Sequence, residues 1–160
     1  MNFHYARTTN IDLIKSVLFD TEIFERISED GQLIDDIQII IDESIDYIAL
    51  YKDNILLGTG FIHPQNSSSC HVHINVLSQY RKYSKECGYL MLNYFIEQTN
   101  YIKFNTQVPV CYPDVSKFLT KFGFIYQGCD YKSINKKGIV HDQYLYGITR
   151  DQIIEQLKSR

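Results

Sequence analysis

A chain of 160 residues, 44% hydrophobic and 22% charged, suits one folded domain spanning 1–160 and carries too much apolar load to stay disordered. A net charge of −3 argues against nucleic-acid partners, because the basic clusters (Arg81-Lys82 with Lys85, and Lys136-Lys137) are too small to track a phosphate backbone. No apolar run approaches the roughly 20 residues that span a bilayer, and the first residues lack a basic-then-apolar leader. The expectation is a cytoplasmic protein without membrane partners. The four cysteines are widely spaced, form no C-x-x-C pair and read as reduced, mostly buried thiols.

In chain order, a strand is predicted over about Asn2–Arg7. Thr9 or Asn10 then caps a helix with Ile11, Ile14 and Leu18 on one face. A short second helix presents Ile23, Phe24 and Ile27 and ends near Asp30-Gly31. β signals follow at Ile37–Ile41, Tyr47–Tyr51 and Ile55–His63, the last two joined as an antiparallel hairpin by Lys52-Asp53-Asn54. After a strand at Cys70–Leu77 the period changes from 2 to 3.6, and Cys87, Leu90, Met91, Tyr94 and Phe95 make a helical stripe. Tyr101–Val108 is a strand. Val115, Phe118, Leu119 and Phe122 mark a helix with Pro113 in its first turn and Gly123 at its end. Strands at Phe124–Tyr131 and Val140–Ile148 flank a turn at Asn135–Gly138, and Ile153, Ile154 and Leu157 close the chain in a helix. The order is β-α-α-β-β-β-α-β-α-β-β-α. Its strand–helix–strand crossover demands locally parallel strands, while the hairpins make the whole sheet mixed.

The segment Val115–Phe124, a helix ending in Lys121-Phe122-Gly123-Phe124, resembles the second conserved motif of the GNAT acetyltransferases. Gly permits a left-handed cap there, and the following Phe starts a strand by packing under the helix. Before the long helix, Arg81-Lys82-Tyr83-Ser84-Lys85-Glu86 stands where that family has Gln/Arg-x-x-Gly-x-Gly/Ala. Arg81 matches; Ser84 and Glu86 occupy the places of small residues. The stretch Gly138–Arg150 is similar to the closing strand of the branch that includes ribosomal-protein N-terminal acetyltransferases, and Asp20–Gly31 resembles GNAT-like proteins of bacteriophages.

The resemblance implies the GNAT fold: about seven strands, mostly antiparallel, with a central parallel β-α-β and two splayed strands. It implies acetyl-CoA as co-substrate and an amine acceptor, either a protein N-terminus or a small amine. The location is then cytoplasmic, in the host for a phage-encoded member, and a homodimer is compatible with it. Backbone groups of Val76 and Leu77 would hold the pantetheine arm. The amides of Arg81, Lys82, Tyr83, Ser84, Lys85 and Glu86 would cradle the pyrophosphate at a helix N-terminus, with the Glu86 carboxylate opposing it.

Some family members carry a general base ten residues before the Gln/Arg of the loop, a place held here by His71. His73 shares its strand face, and an imidazole with an ordinary pKa near 6.5 suits proton transfer at neutral pH. The pair is equally at home as ordinary surface or core histidines. His-x-His also supplies two metal ligands, but no third is evident, so no metal is assigned. Leu119 fills the position of the family's thiolate-protonating Tyr. Tyr112 is a candidate to approach the CoA sulfur, or a core aromatic. His141-Asp142 is a candidate substrate contact or a solvated pair. Two functions therefore stand side by side. His71, Arg81 and Lys121–Phe124 favour an N-acetyltransferase; Glu86 and Leu119 favour a binding or structural protein that kept the fold.

Overall fold

The computed structural model describes all residues, 1–160. The chain runs β1 (Phe3–Thr8), α1 (Ile11–Leu18), α2 (Thr21–Ile27), β2 (Asp46–Lys52), β3 (Ile55–Pro64), β4 (Ser69–Val76), α3 (Ser84–Gln98), β5 (Lys103–Pro109), α4 (Pro113–Lys121), β6 (Ile125–Lys136), β7 (Ile139–Thr149) and α5 (Arg150–Lys158). All seven strands join one sheet in the order β1-β2-β3-β4-β5-β7-β6. Only β4 and β5 are parallel neighbours. The element order predicts the mixed sheet with its parallel crossover, and the resemblance implies its seven mostly antiparallel strands; both are found.

The helix starts follow their capping residues. Asn10 accepts the Leu13 amide and Asp20 accepts those of Glu22 and Ile23, which satisfies donors that the first turn leaves free. The faces differ from the periodicity: α1 buries Ile14 and Val17 while Ile11 stays exposed, and α2 buries only Ile23. The apolar run Ile37–Ile41 is not a strand. β2, the nearest strand in sequence, is already paired on both edges by β1 and β3, so the run finds no ladder there, and Ile40 and Ile41 remain exposed.

The main core lies between one sheet face and α3, where Leu50, Val72, Phe104 and Ile148 meet Cys87, Met91 and Phe95. Gly88 lets α3 press onto the end of α4: a Cβ there would sit 2.4 Å from the Phe122 ring. All four cysteines are free; Cys70 and Cys87 are buried, and burial pushes both thiols up to about 12.

Two cations close helix C-termini, where carbonyl oxygens lack intrahelical partners. Arg150 donates to the carbonyls of Phe95 (3.0 Å) and Ile96 (3.1 Å) at the end of α3, and to Tyr101 (2.9 Å) beyond it. Buried Lys136 donates to the carbonyls of Glu25 and Arg26 at the end of α2, and burial lowers its pKa.

The β6–β7 turn places Lys137 and Gly138 at φ of +53° and +76°, and Asp30 accepts both of their amides at 2.7 Å. Those two bonds lower the Asp30 pKa from its ordinary 3.8. A lowered carboxylate stabilises the fold above its unfolded pKa and loses that contribution as pH falls through the folded value. Asp30→Asn is therefore expected to melt below wild type at neutral pH, with the gap closing as the medium is acidified below 3.8. A melting series across pH checks this; a gap that persists in acid would contradict it.

Candidate active site

β4 and β5 pair at three positions only, Ser69 with Lys103, Cys70 with Phe104 and His71 with Asn105. Beyond His71 they separate, while β4 stays paired to β3 as far as Val76. The peptide groups of a strand alternate between its two edges. The Leu77 amide bonds the Leu57 carbonyl on the β3 side at 2.9 Å, so the groups of Ile74 and Val76 turn into the gap. Leu77 itself needs correcting as an arm-holding residue. Its amide is bonded to the Leu57 carbonyl and its carbonyl accepts the Tyr80 amide (2.8 Å), so the peptide groups that face the gap are those of Ile74 and Val76.

The gap opens into a cleft of about 390 Å³, with 16 hydrophobic residues among the 27 that line it. Ile23 and Arg26 of α2, Gly88 and Met91 of α3, Val108 of β5 and Phe118 and Leu119 of α4 contribute. The mainly apolar wall and few polar groups suit a long, flexible ligand arm.

The presumed loop at Arg81–Glu86 is instead helical. Ser78–Tyr83 is a 3₁₀ turn running directly into α3, and the Ser84 amide bonds the Arg81 carbonyl. No side chain caps the start of α3, where the dipole of its 15 residues favours an anion. Of the six residues only Arg81 and Ser84 line the cleft. The Arg81 guanidinium is paired with Glu22 of α2 at 2.8 Å. Glu86 has one carboxylate oxygen buried without a partner. Lys82 lies 5.1 Å and Lys52 4.5 Å from the Tyr83 ring centre, and Lys52 also donates to the Tyr83 hydroxyl at 2.7 Å. That bond raises the Lys52 pKa and lowers that of Tyr83. Lys52 escapes sequence reasoning because it closes β2, some thirty residues upstream of Tyr83; the strand pairing of β2 delivers it.

His71 and His73 lie on the sheet face opposite α3, their rings 4.6 Å apart. His73 lines the cleft and is solvent-exposed; half-buried His71 does not line it. The β3–β4 register sets His63 directly opposite His71, with rings 5.2 Å apart. Neither imidazole keeps the ordinary value of 6.5. Burial, then the neighbouring His63, pushes His71 down to about 4. Desolvation by the packing around it, then the His71 and His63 rings, lower His73 as well. Both are neutral at pH 7. His63 is a third imidazole beside the pair, one that spacing within one strand could not reveal; counting back across the Asn66–Ser69 turn reaches it.

Tyr112 stands immediately before α4, lines the cleft, and has Arg26 over its ring at 4.9 Å. Burial raises its hydroxyl pKa above 10, so it keeps its proton at neutral pH. Asp142 is occupied elsewhere: it accepts the Lys132 amide at 2.8 Å within an irregular stretch of β6.

No family model and no curated protein matches the sequence. Among solved structures, spermidine N-acetyltransferase from Vibrio cholerae, in complex with CoA and spermine, superposes with a TM-score of 0.81 at 16% identity over 95% of this chain and 98% of that one. An N-acetyltransferase from Staphylococcus aureus gives 0.72 at 16% identity, over 94% and 99%. At such identities the likeness is one of fold, and the fold is that of the GNAT acetyltransferases.

Proposed function

We propose that this protein transfers an acetyl group from acetyl-CoA to an amine. The observation that carries this reading is the break in the β4–β5 ladder after His71, which frees the peptide groups of Ile74 and Val76 beside an apolar cleft. The pantetheine arm lies along those groups. The pyrophosphate meets the uncapped start of α3, with Lys52 and Lys82 offsetting the Glu86 carboxylate.

The thioester then sits toward the root of the splay, on the side that His73 lines. The acceptor nitrogen attacks the thioester carbon, the C–S bond breaks, and the proton lost by nitrogen passes to the neutral His73 imidazole. Tyr112, still protonated, is the donor for the departing thiolate. His73 thus takes the role nearest the reacting atoms and His71 the supporting one, the reverse of the order that spacing suggests. The CoA and spermine held by the Vibrio cholerae enzyme of like fold support a co-substrate of this kind and a small amine as acceptor. An N-terminal amine rests only on the resemblance of Gly138–Arg150.

A second reading keeps the fold and drops the chemistry. It is favoured by the partnerless Glu86 oxygen and by Leu119 in the place of the family's Tyr. Thiol release separates the two. Acetyl-CoA with spermidine, or with a short peptide bearing a free N-terminus, should release CoA thiol in the presence of the protein. No release above background with either would leave the binding role.

A further inference from the structure

The three clustered imidazoles carry a consequence that acetyl transfer does not require. His71 and His73 are two apart on β4, and His63 is the cross-strand partner of His71 on β3, so three ring systems leave one sheet face side by side. One nitrogen from each ring lies within 4.8 Å of the other two. Tetrahedral zinc with Zn–N bonds of about 2.0–2.1 Å needs its nitrogens about 3.4 Å apart. Small rotations of side chains on a fixed backbone close that difference.

We propose that His63, His71 and His73 form a three-imidazole site for a divalent transition metal, with zinc the physiological fit. Imidazole nitrogens suit zinc, copper, nickel and iron, and three of them leave a fourth position for water or another donor. Exposed His73 gives the ion its way in. Phe61, with its ring 5.2 Å from His63 and 5.9 Å from His73, backs the cluster with an apolar wall. Both strands hold their register across the cluster, so the ligands sit on regular paired strands rather than on a loop. The site stands on this geometry whether or not the chain transfers acetyl groups. Where it does, an ion on His73 occupies the lone pair that would take the proton.

The test uses the full chain, stripped with a chelator and titrated with Co²⁺ alone. One equivalent should give the visible absorption of four-coordinate cobalt, without the intense near-ultraviolet band of a cobalt–thiolate bond. Zn²⁺ should displace the cobalt and bleach it. His63→Gln and His71→Gln should each weaken zinc binding, in competition with a chromophoric chelator, by more than the roughly 10–100-fold that loss of an outer partner costs. His141→Gln should leave it unchanged. Wild type alone decides if a variant misfolds: no four-coordinate band, or a thiolate band, overturns the site. Retained affinity in folded His63→Gln and His71→Gln overturns it as well.

Discussion

His73→Ala is expected to lower kcat for acetyl transfer by about 10²-fold or more, the lower end of what a positioned base supplies, while acetyl-CoA affinity stays near wild type. The split follows from the placement of the ring. His73 lines the cleft beside the root of the splay, whereas the proposed cofactor contacts are the Ile74 and Val76 peptide groups and the start of α3. The expectation stays at the lower end because crowding holds the imidazole below its ordinary value and makes it a weaker base. Assays run with a chelator keep metal off the ring, and added imidazole should restore part of the lost rate. His71→Ala should cost less, since His71 does not line the cleft. An unchanged rate in His73→Ala would move proton loss to the acceptor's own equilibrium, which is feasible for an N-terminal amine with a pKa of about 7.7–8.0.

Phe104→Ala should be among the most damaging truncations, costing about 3–5 kcal/mol of stability. Phe104 is 0% exposed, stacks on Phe95 of α3 at 4.5 Å, and sits opposite Cys70 within the short parallel pairing that roots the splay. Removing the ring leaves a cavity between sheet and helix that the surrounding backbone cannot collapse. In a chain of this size the loss corresponds to roughly 6–20 °C in Tm. Denaturant unfolding with an unchanged slope checks it; a loss below about 1 kcal/mol would mean that this part of the core repacks freely.

Much of the fold is legible in the sequence because each element carries its own signal. Pro113 and Gly123 bracket α4, the change of period after Leu77 announces α3, and Lys137-Gly138 supplies the positive φ values of the last hairpin. The failures have two causes: partners distant in the chain, and local winding that a motif match does not report. Ile37–Ile41 has the composition of a strand, but composition does not report whether a free edge exists to receive it. The cofactor motif invites a loop, yet Ser78–Tyr83 winds into a 3₁₀ turn continuous with α3. Leu77 looks equivalent to Val76 until the hydrogen bonds to Leu57 and Tyr80 are counted. The candidate cleft is legible where it runs along β4, in His73 and Val76, while His71 lies on that strand without lining it. Lys52 and His63, delivered by neighbouring strands, are not legible, and the pairing of Arg81 with Glu22 follows from how α2 packs rather than from any local pattern.

The central claim is that the open edge of β4 receives the pantetheine arm of acetyl-CoA. Amide hydrogen exchange during a calorimetric titration of the full chain tests it most directly. Acetyl-CoA should bind one per chain and slow exchange at Ile74 and Val76. Leu77, already bonded to Leu57, should be unaffected. An absence of heat at millimolar acetyl-CoA would contradict the account. So would binding that leaves the Ile74 and Val76 amides as they were.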